Sequence, residues 1–203
     1  YVPFLIPFRS DFDKFLQKPK WIVGYSDVTV LHAKMQSLGI ESLHATMPIN
    51  FQDNSKQALD TLFDALCGKE IKYDLPQQSL DILSTMKGEV VGGNISVLYS
   101  LLGSDIFPDV EGKVLFLEDL DEYLYHIDRM MMAFQRAGIF DKISGLIIGG
   151  LTKMHDNAVP FGMTAEEIIS EKIKDENIPT VFNFPAGHVN DNRAIVLGRR
   201  ICN

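Results

Sequence analysis

The chain has 203 residues, of which 46% are hydrophobic and 23% are charged, and this balance is typical of a globular protein and not of a disordered one. Its 27 acidic residues outnumber its 19 basic residues, and no Lys/Arg run is longer than Arg199-Arg200, so the electrostatic signature of a nucleic-acid-binding protein is missing. No apolar run approaches the ~20 residues that a membrane span requires.

The first predicted element is a strand, turn and helix unit. Residues 21–23 form an apolar run fit for a buried strand, in which we expect Trp21 to be buried. Residues 24–27 interrupt that run. A helix then follows, because apolar residues recur at helical spacing before Gly39, a natural C-terminal cap: Leu31, Met35 and Leu38.

A second helix is predicted over residues 55–66, where apolar residues recur with helical period before Gly68. Residues 69–85 alternate weakly and then become polar, so we interpret them as an inter-domain connection. The predicted domains are therefore residues 1–68 and residues 86–203.

The second half of the chain alternates predicted strands and helices, which predicts an α/β architecture. Thr164 and Glu167 form the pattern of a capping box before a helix. The predicted strands lie in the segments "KGEVVGGN", "GKVLFLEDLD", "ISGLIIGGLT", "PTVFNFP" and "RAIVLGRR"; the helices lie in "ISVLYSLLG" and "EYLYHIDRMMMAFQRAG" and after Thr164.

Ser26 stands on the corner between the first strand and its helix. A strand-to-helix elbow exposes a serine hydroxyl and points backbone N–H groups at a developing oxyanion. The segment from Gly24 to Val28 matches the G-x-S-x-G elbow in its first three positions, with Val28 in place of the second glycine. The alternative is that Ser26 or Asp27 is a helix N-cap.

A catalytic serine needs a base, and the histidines are the candidates. His155 and His188 occupy loops after apolar strands, where catalytic side chains are common. We favour His188, because Gly187 permits an unusual backbone beside it and polar residues follow. For the other histidines we predict structural roles: His32, His44 and His126.

The orienting acid should lie at a strand end, and Glu118 and Asp119 both end the "VLFLED" strand. Spacing does not choose between them, and a solvated strand end or an N-cap is the alternative. No metal or redox motif is found. Cys67 and Cys202 are predicted to be plain thiols, with Cys67 packed at the end of its helix.

Four segments together resemble the LD-carboxypeptidase family of serine peptidases, whose relatives include the microcin-immunity peptidases. They follow the family's order from Pro19 to Gly198: "PKWIVGYSDVTVLH", "GGNISVLYSLLGS", "GKVLFLEDLDEYLYHIDRMMMAFQRAGIFDKISGLIIGG" and "FPAGHVNDNRAIVLG". The resemblance implies a Ser-His-Glu triad. Ser26 in Gly-Tyr-Ser-Asp matches the nucleophile, His188 in Ala-Gly-His the base, and Glu118 in Phe-Leu-Glu-Asp the acid.

Three further residues are candidates around that triad. The backbone N–H of Asp27, next to the nucleophile, is the candidate oxyanion donor. Asn94 is a candidate substrate-binding residue whose alternative role is a helix N-cap, and Arg193 is a candidate for the cation that holds the substrate's terminal carboxylate.

The resemblance also implies a fold. A flavodoxin-like, class I amidotransferase-like N-terminal layer, here the partial domain 1–68, bears the serine, and a swivelling C-terminal β/α domain, here 86–203, bears Glu and His. Family members carry an Arg-Gly-Gly-Tyr-Gly segment upstream of the serine, and nothing comparable precedes Lys20. We therefore expect part of a longer protein, including the second oxyanion donor, to lie upstream.

The resemblance further implies a reaction and its setting. The expected substrate is a murein tetrapeptide, cut before its C-terminal D-alanine during cell-wall recycling in the cytoplasm, with no metal or cofactor. The implied state is a homodimer without nucleic-acid or membrane partners. The alternatives are an immunity peptidase that cleaves a nucleotide-peptide antibiotic and a non-catalytic binding domain of the same fold.

Overall fold

The structure is a computed structural model that describes residues 12–201, and its strands form two sheets. The first sheet has the order β1-β2-β7, with β1 (Val23–Gly24) parallel to β2 (Ser42–His44) and β7 (Ile195–Leu197) antiparallel to β2. The second sheet is entirely parallel and has the order β3-β4-β5-β6: β3 (Val90–Asn94), β4 (Val114–Leu120), β5 (Gly145–Thr152) and β6 (Thr180–Val181).

Residues 12–201 contain seven α-helices: α1 (Asp13–Gln17), α2 (Thr29–Ser37), α3 (Lys56–Leu66), α4 (Gln77–Thr85), α5 (Ile95–Leu101), α6 (Leu124–Arg136) and α7 (Ala165–Ile173). One-turn 3-10 helices lie at Ser26–Val28 and Pro48–Asn50. The capping box of Thr164 and Glu167 is present at α7, as predicted. Among residues 12–201, no helix combines the length and apolar character that a membrane crossing requires.

The second sheet is buried on both faces, and alternate residues of β4 pack into different cores. Leu115 and Leu117 join the core formed with α5, α6 and α7, whereas Val114 and Phe116 join the core that also holds β7. Successive side chains of a strand point to opposite faces. Residue 118 therefore continues the Val114 and Phe116 face, which looks toward the first sheet, and residue 119 continues the opposite face.

The C-terminal strand ties the two sheets together. β7 pairs with β2 in the first sheet, while the N–H of Gly198 donates to the carbonyl of Val90 at 2.8 Å and the N–H of Val90 donates to the carbonyl of Arg199 at 2.9 Å. The segment that follows the His188 loop thus completes the sheet from which Ser26 emerges. The carboxyl ends of β1, β2, β3 and β4 therefore meet at one junction.

Two elements were not predicted from the sequence, and two predictions of burial were wrong. The unpredicted elements are α4, which lies within the residues interpreted as an inter-domain connection, and β2. Trp21 is 36% exposed and lies before β1, because that strand is only two residues long. Cys67 is exposed and not packed, since it is the C-cap of α3 and lies outside the buried face of that helix.

Candidate active site

Ser26 occupies a strained corner. Tyr25 is extended after β1, and Ser26 itself has φ of 61°, in the left-handed region that non-glycine residues seldom adopt. Such a conformation costs about 1–3 kcal/mol and persists only where the surroundings impose it. No side-chain capping bond is made at Tyr25 or at Val28, the cap positions of the 3-10 helix and α2. The N-cap alternative for Ser26 therefore finds no support.

The start of α2 is fixed against the end of β3. Oγ1 of Thr29 accepts a hydrogen bond from the N–H of Asn94 at 3.0 Å. This approach needs the glycine at 93, whose φ is 145° and whose added Cβ would lie 2.5 Å from the same Oγ1. The serine corner is thus held at the carboxyl end of the second sheet.

Glu118 lies near the end of β4 at an irregularity of the sheet. Leu117 pairs with Ile148 but Asp119 pairs with Leu151, so two glycines of β5 stand opposite the single residue 118. Bulges of this kind re-aim a side chain beside an active site. The Glu118 side chain is completely buried. Burial alone would raise its pKa, but the imidazoles of His188 and His44 outweigh that effect and lower the pKa to about 2.

His188 follows β6 in a loop that comes close to Glu118. Its Nδ1 lies 2.7 Å from Oε2 of Glu118. Gly187 makes the approach possible, because its φ is 107° and an added Cβ would lie 2.7 Å from that oxygen. The N–H of Gly187 donates to Oδ1 of Asn192 at 2.8 Å, and Oγ1 of Thr152 donates to the carbonyl of His188 at 3.2 Å. The loop is therefore braced on both sides of the imidazole.

The serine corner and the histidine loop meet through Tyr25. The rings of Tyr25 and His188 are in edge-to-face contact with centroids 4.8 Å apart. Ser26 is the next residue in the chain, so its backbone lies at the same junction. Among residues 12–201, Ser26 Oγ makes no hydrogen bond with His188. Catalytic hydrogen bonds are commonly long in ligand-free sites and tighten when substrate binds.

Asp119 and Asn94 organise the neighbouring helix start. Asn94 is the N-cap of α5, accepting from the N–H of Val97 at 3.1 Å, and its Nδ2 donates to Oδ1 of Asp119 at 2.9 Å. Oδ2 of Asp119 accepts from the N–H of Ser96 at 2.9 Å. Burial raises the pKa of Asp119 to about 6 against these donors. Asp119 thus faces α5, and only Glu118 contacts His188.

Two further histidines, His44 and His32, lie on the side of Glu118 away from His188. His44, at the end of β2, is completely buried with its Nε2 3.8 Å from Oε1 of Glu118. His32, on α2, is bonded at Nε2 to the carbonyl of Gly24 at 3.0 Å and at Nδ1 to Oγ of Ser42 at 2.9 Å. Because a carbonyl only accepts, Nε2 of His32 carries the proton.

The chain matches the two halves of one peptidase family. The model of the LD-carboxypeptidase C-terminal domain matches residues 87–202, more than half of the chain, and that of the LD-carboxypeptidase N-terminal domain matches residues 5–45. The chain belongs to the LD-carboxypeptidase family. This membership confirms the resemblance found in the sequence.

Individual family members agree with this assignment. The Bacillus subtilis protein named "Probable murein peptide carboxypeptidase" is 32% identical over 203 residues, covering 94% of this chain and 61% of that protein. The Escherichia coli microcin C7 self-immunity protein MccF is 25% identical, covering 97% and 66%. The crystal structure of muramoyltetrapeptide carboxypeptidase from Oxalobacter formigenes has a TM-score of 0.79 at 26% identity, covering 93% and 66%. The chain spans less than two thirds of each relative.

Arg193 is engaged within the LD-carboxypeptidase scaffold itself. Its Nε and Nη2 bond Oδ2 of Asp191 at 3.1 and 2.9 Å, and its Nη1 bonds the carbonyl of Asp74 at 2.9 Å. Its side chain is only 10% exposed. These contacts favour a role in holding the loop after His188, and they give no support to the prediction that Arg193 receives a substrate carboxylate.

His155 and His126 pair with acids away from Glu118. Nε2 of His155 lies 2.5 Å from Oδ1 of Asp121, and Nδ1 of His126 lies 2.9 Å from Oε2 of Glu122. Neither contacts His188 among residues 12–201. In the same range, no group of three or more His, Cys, Asp and Glu side chains is placed to hold a metal ion.

Because His32 is buried, we predict that the free energy of unfolding of this protein falls as the pH is lowered. Burial, together with the nearby His44, lowers the pKa of His32 to about 3. The unfolded chain takes up this proton near pH 6.5, so the stabilising effect is fully present above that pH and is lost as the pH falls toward 3. From pH 7 to pH 5 we expect the free energy of unfolding to fall by about 2 kcal/mol through His32.

Urea unfolding at pH 5, 6 and 7 measures this effect. His32→Gln should flatten the pH dependence relative to the wild-type protein. Parallel curves for wild-type and His32→Gln proteins would show that His32 is not the responsible group.

Proposed function

We propose that the protein is a serine carboxypeptidase that hydrolyses the L,D-peptide bond before a C-terminal D-alanine in murein tetrapeptides. The observation that carries the proposal is the contact of His188 with the buried Glu118, beside a serine in the left-handed conformation. A carboxylate that orients an imidazole next to a serine hydroxyl is the geometry of acyl transfer. The proposed reaction needs no metal or cofactor.

In the proposed mechanism His188 carries the proton. Its Nδ1–H is held by Glu118, so Nε2 is the basic nitrogen. Oγ of Ser26 attacks the scissile carbonyl carbon while Nε2 takes the hydroxyl proton. The tetrahedral intermediate then breaks its C–N bond as His188 returns the proton to the leaving amine of D-alanine. Water, deprotonated by His188, then attacks the Ser26 ester; the C–Oγ bond breaks, His188 returns the proton to Oγ of Ser26, and the shortened peptide leaves with a free carboxylate.

Glu118 supplies the charge for both steps. A buried carboxylate at 2.7 Å stabilises the imidazolium that forms when His188 takes the proton. The lowered pKa of Glu118 means that it is ionised at neutral pH. The side chain therefore accepts the Nδ1–H and does not itself take a proton.

The developing oxyanion has a donor at the same corner. Asp27 lies in the first turn of the Ser26–Val28 helix, where N–H groups have no intrahelical partner. Its N–H directly follows the nucleophile in the chain, which is the usual place for one oxyanion donor. Such a donor contributes about 3 kcal/mol to transition-state stabilisation.

The substrate and setting rest on the relatives. One relative is named for murein peptides and one solved relative for muramoyl tetrapeptide. We carry over cell-wall recycling in the cytoplasm and a homodimer. We also propose the family's architecture, a flavodoxin-like layer with Ser26 and a swivelling domain with Glu118 and His188; the parallel pair β1–β2 and the all-parallel second sheet support it.

The test uses the full-length protein and two tetrapeptides that differ only in their terminal residue, D-alanine or L-alanine. We expect mass spectrometry to show loss of D-alanine from the first and little or no cleavage of the second. Retention of D-alanine under conditions where a fluorophosphonate labels Ser26 would leave the nucleophile assignment standing and refute the substrate.

An immunity-type peptidase that cleaves an aminoacyl nucleotide is the second candidate, favoured by the 25% identity to the microcin C7 self-immunity protein. Such an activity calls for an aromatic side chain that stacks on the base. Trp21 precedes β1 whereas Ser26 follows it, so Trp21 lies toward the opposite end of that strand. Cleavage of an aminoacyl sulfamoyl adenosine in place of the tetrapeptide would favour this candidate. Binding of either compound without labelling or cleavage would favour a non-catalytic domain.

A further inference from the structure

The far side of the Glu118 carboxylate faces a histidine that the proposed hydrolysis does not use. Oε2 of Glu118 contacts His188, whereas Oε1 is buried and has no hydrogen-bond partner among residues 12–201. In the same part of the chain, neither ring nitrogen of His44 has a hydrogen-bond partner. Nε2 of His44 lies 3.8 Å from Oε1 of Glu118, and both side chains are completely buried. Two unsatisfied polar atoms are therefore opposed to each other.

The surroundings of His44 leave its ring little freedom. Its backbone lies in the middle strand of the first sheet, paired with Gly24 on one side and Ile195 on the other. The ring packs edge-on against Phe116 with centroids 4.7 Å apart, and the ring of Tyr25 lies 6.2 Å away. A side chain with so little freedom can fix the position of a group that hydrogen-bonds to its ring nitrogens.

The two opposed atoms are chemically complementary. An imidazole with its proton on Nε2 is a donor, and an ionised carboxylate oxygen is an acceptor. The 3.8 Å separation must shorten by about 0.9 Å to reach a normal N–H···O hydrogen bond. Glu118 sits at the register shift of β4, where the strand departs from regular pairing. A small adjustment there closes the gap without moving the first sheet.

We propose that His44 is a positioning residue whose Nε2–H bonds Oε1 of Glu118 and fixes the carboxylate in line with Nδ1 of His188. The proposal rests on the proposed function and deepens it. Glu118 then accepts one imidazole N–H on each oxygen, which prevents rotation of the carboxylate away from His188. His44 does not contact the substrate, so its loss should lower kcat and leave KM unchanged.

Matched variants separate this role from packing. His44→Phe keeps a ring of similar shape but removes the donor, and we expect kcat to fall roughly 10- to 100-fold, as loss of a hydrogen bond to a charged group implies. His44→Gln places an N–H near the position of Nε2 and should recover kcat to within about threefold of wild type. Equal loss in both variants, each folded by circular dichroism, would overturn the proposal.

Proton NMR of the imidazole N–H groups gives a readout that does not depend on peptidase activity. In the wild-type protein we expect downfield imidazole N–H signals from both His188 and His44, with the His44 signal missing in His44→Phe. The Nε2–H of His32, bonded to the carbonyl of Gly24, gives a further signal that remains in that variant. Glu118→Gln should shift the signals of His188 and His44. A His44 signal that Glu118→Gln leaves unmoved would overturn the inference. Absence of hydrolysis by the wild-type protein would instead overturn the proposed function, and the NMR result would still decide the role of His44.

Discussion

Ser26→Ala is expected to lower kcat for tetrapeptide hydrolysis by at least about a thousandfold, because the remaining site can still bind but has no nucleophile. The fold should be unaffected, since the Ser26 hydroxyl makes no hydrogen bond within residues 12–201 and caps no helix. Steady-state kinetics with mass-spectrometric detection of D-alanine measures the loss. Fluorophosphonate labelling should disappear at the same time.

The matched control is Ser37→Ala, at the exposed end of α2, where the hydroxyl only bonds the carbonyl of Lys34. This variant should retain wild-type kcat and labelling. If Ser26→Ala retained more than about a tenth of wild-type kcat, another nucleophile would be required and the proposed mechanism would fail.

The backbone conformation at Ser26 also predicts how substitutions at this position change the free energy of unfolding. At φ of 61° a side chain with a Cβ is strained, whereas glycine is not. We therefore expect Ser26→Gly to unfold with a free energy about 1 kcal/mol higher than Ser26→Ala, the reverse of the order at an ordinary position. If the backbone at Ser26 is strained, Ser26→Gly should therefore be inactive and yet more stable than Ser26→Ala.

Local patterns in the sequence predicted part of the backbone structure around this site. The serine corner was predicted because strand, turn and helix signals fall within 20 residues, and Gly187 indicated the unusual backbone beside His188 that the structure shows. The choice of Glu118 over Asp119 needed more. Two adjacent acids at a strand end are equivalent by spacing, and only the alternation of β4 between two cores sends one to His188 and the other to α5.

The missing parts depend on distant residues. β2 is three residues long and owes its existence to β1 and to β7, which is about 150 residues further along the chain. With that strand unpredicted, His44 had no visible relation to Glu118 and was assigned a structural role. The contact of Arg193 with the carbonyl of Asp74 was equally invisible in the sequence, because the two residues are 119 positions apart.

Glu118→Gln is expected to lower kcat by roughly 10³- to 10⁴-fold while KM changes little. An amide can still accept the Nδ1–H of His188, so the geometry survives, but it cannot stabilise the imidazolium and it can favour the wrong tautomer. The effect follows from a 2.7 Å contact between His188, whose side chain is 13% exposed, and the fully buried Glu118, where solvent screens the charge only weakly. The control is Glu89→Gln, an exposed acid paired with Lys113 at the amino end of the second sheet.

We also expect Glu118→Gln to change how the free energy of unfolding depends on pH in acid. The pKa of Glu118 is lowered in the folded state, so its contribution to the free energy of unfolding is present above the unfolded value near 4.5 and is lost as the pH falls toward 2. Glu118→Gln should therefore be less sensitive than wild type to acidification in that window, as followed by urea unfolding. Retention of kcat together with an unchanged acid profile would show that Glu118 neither orients His188 nor carries its countercharge.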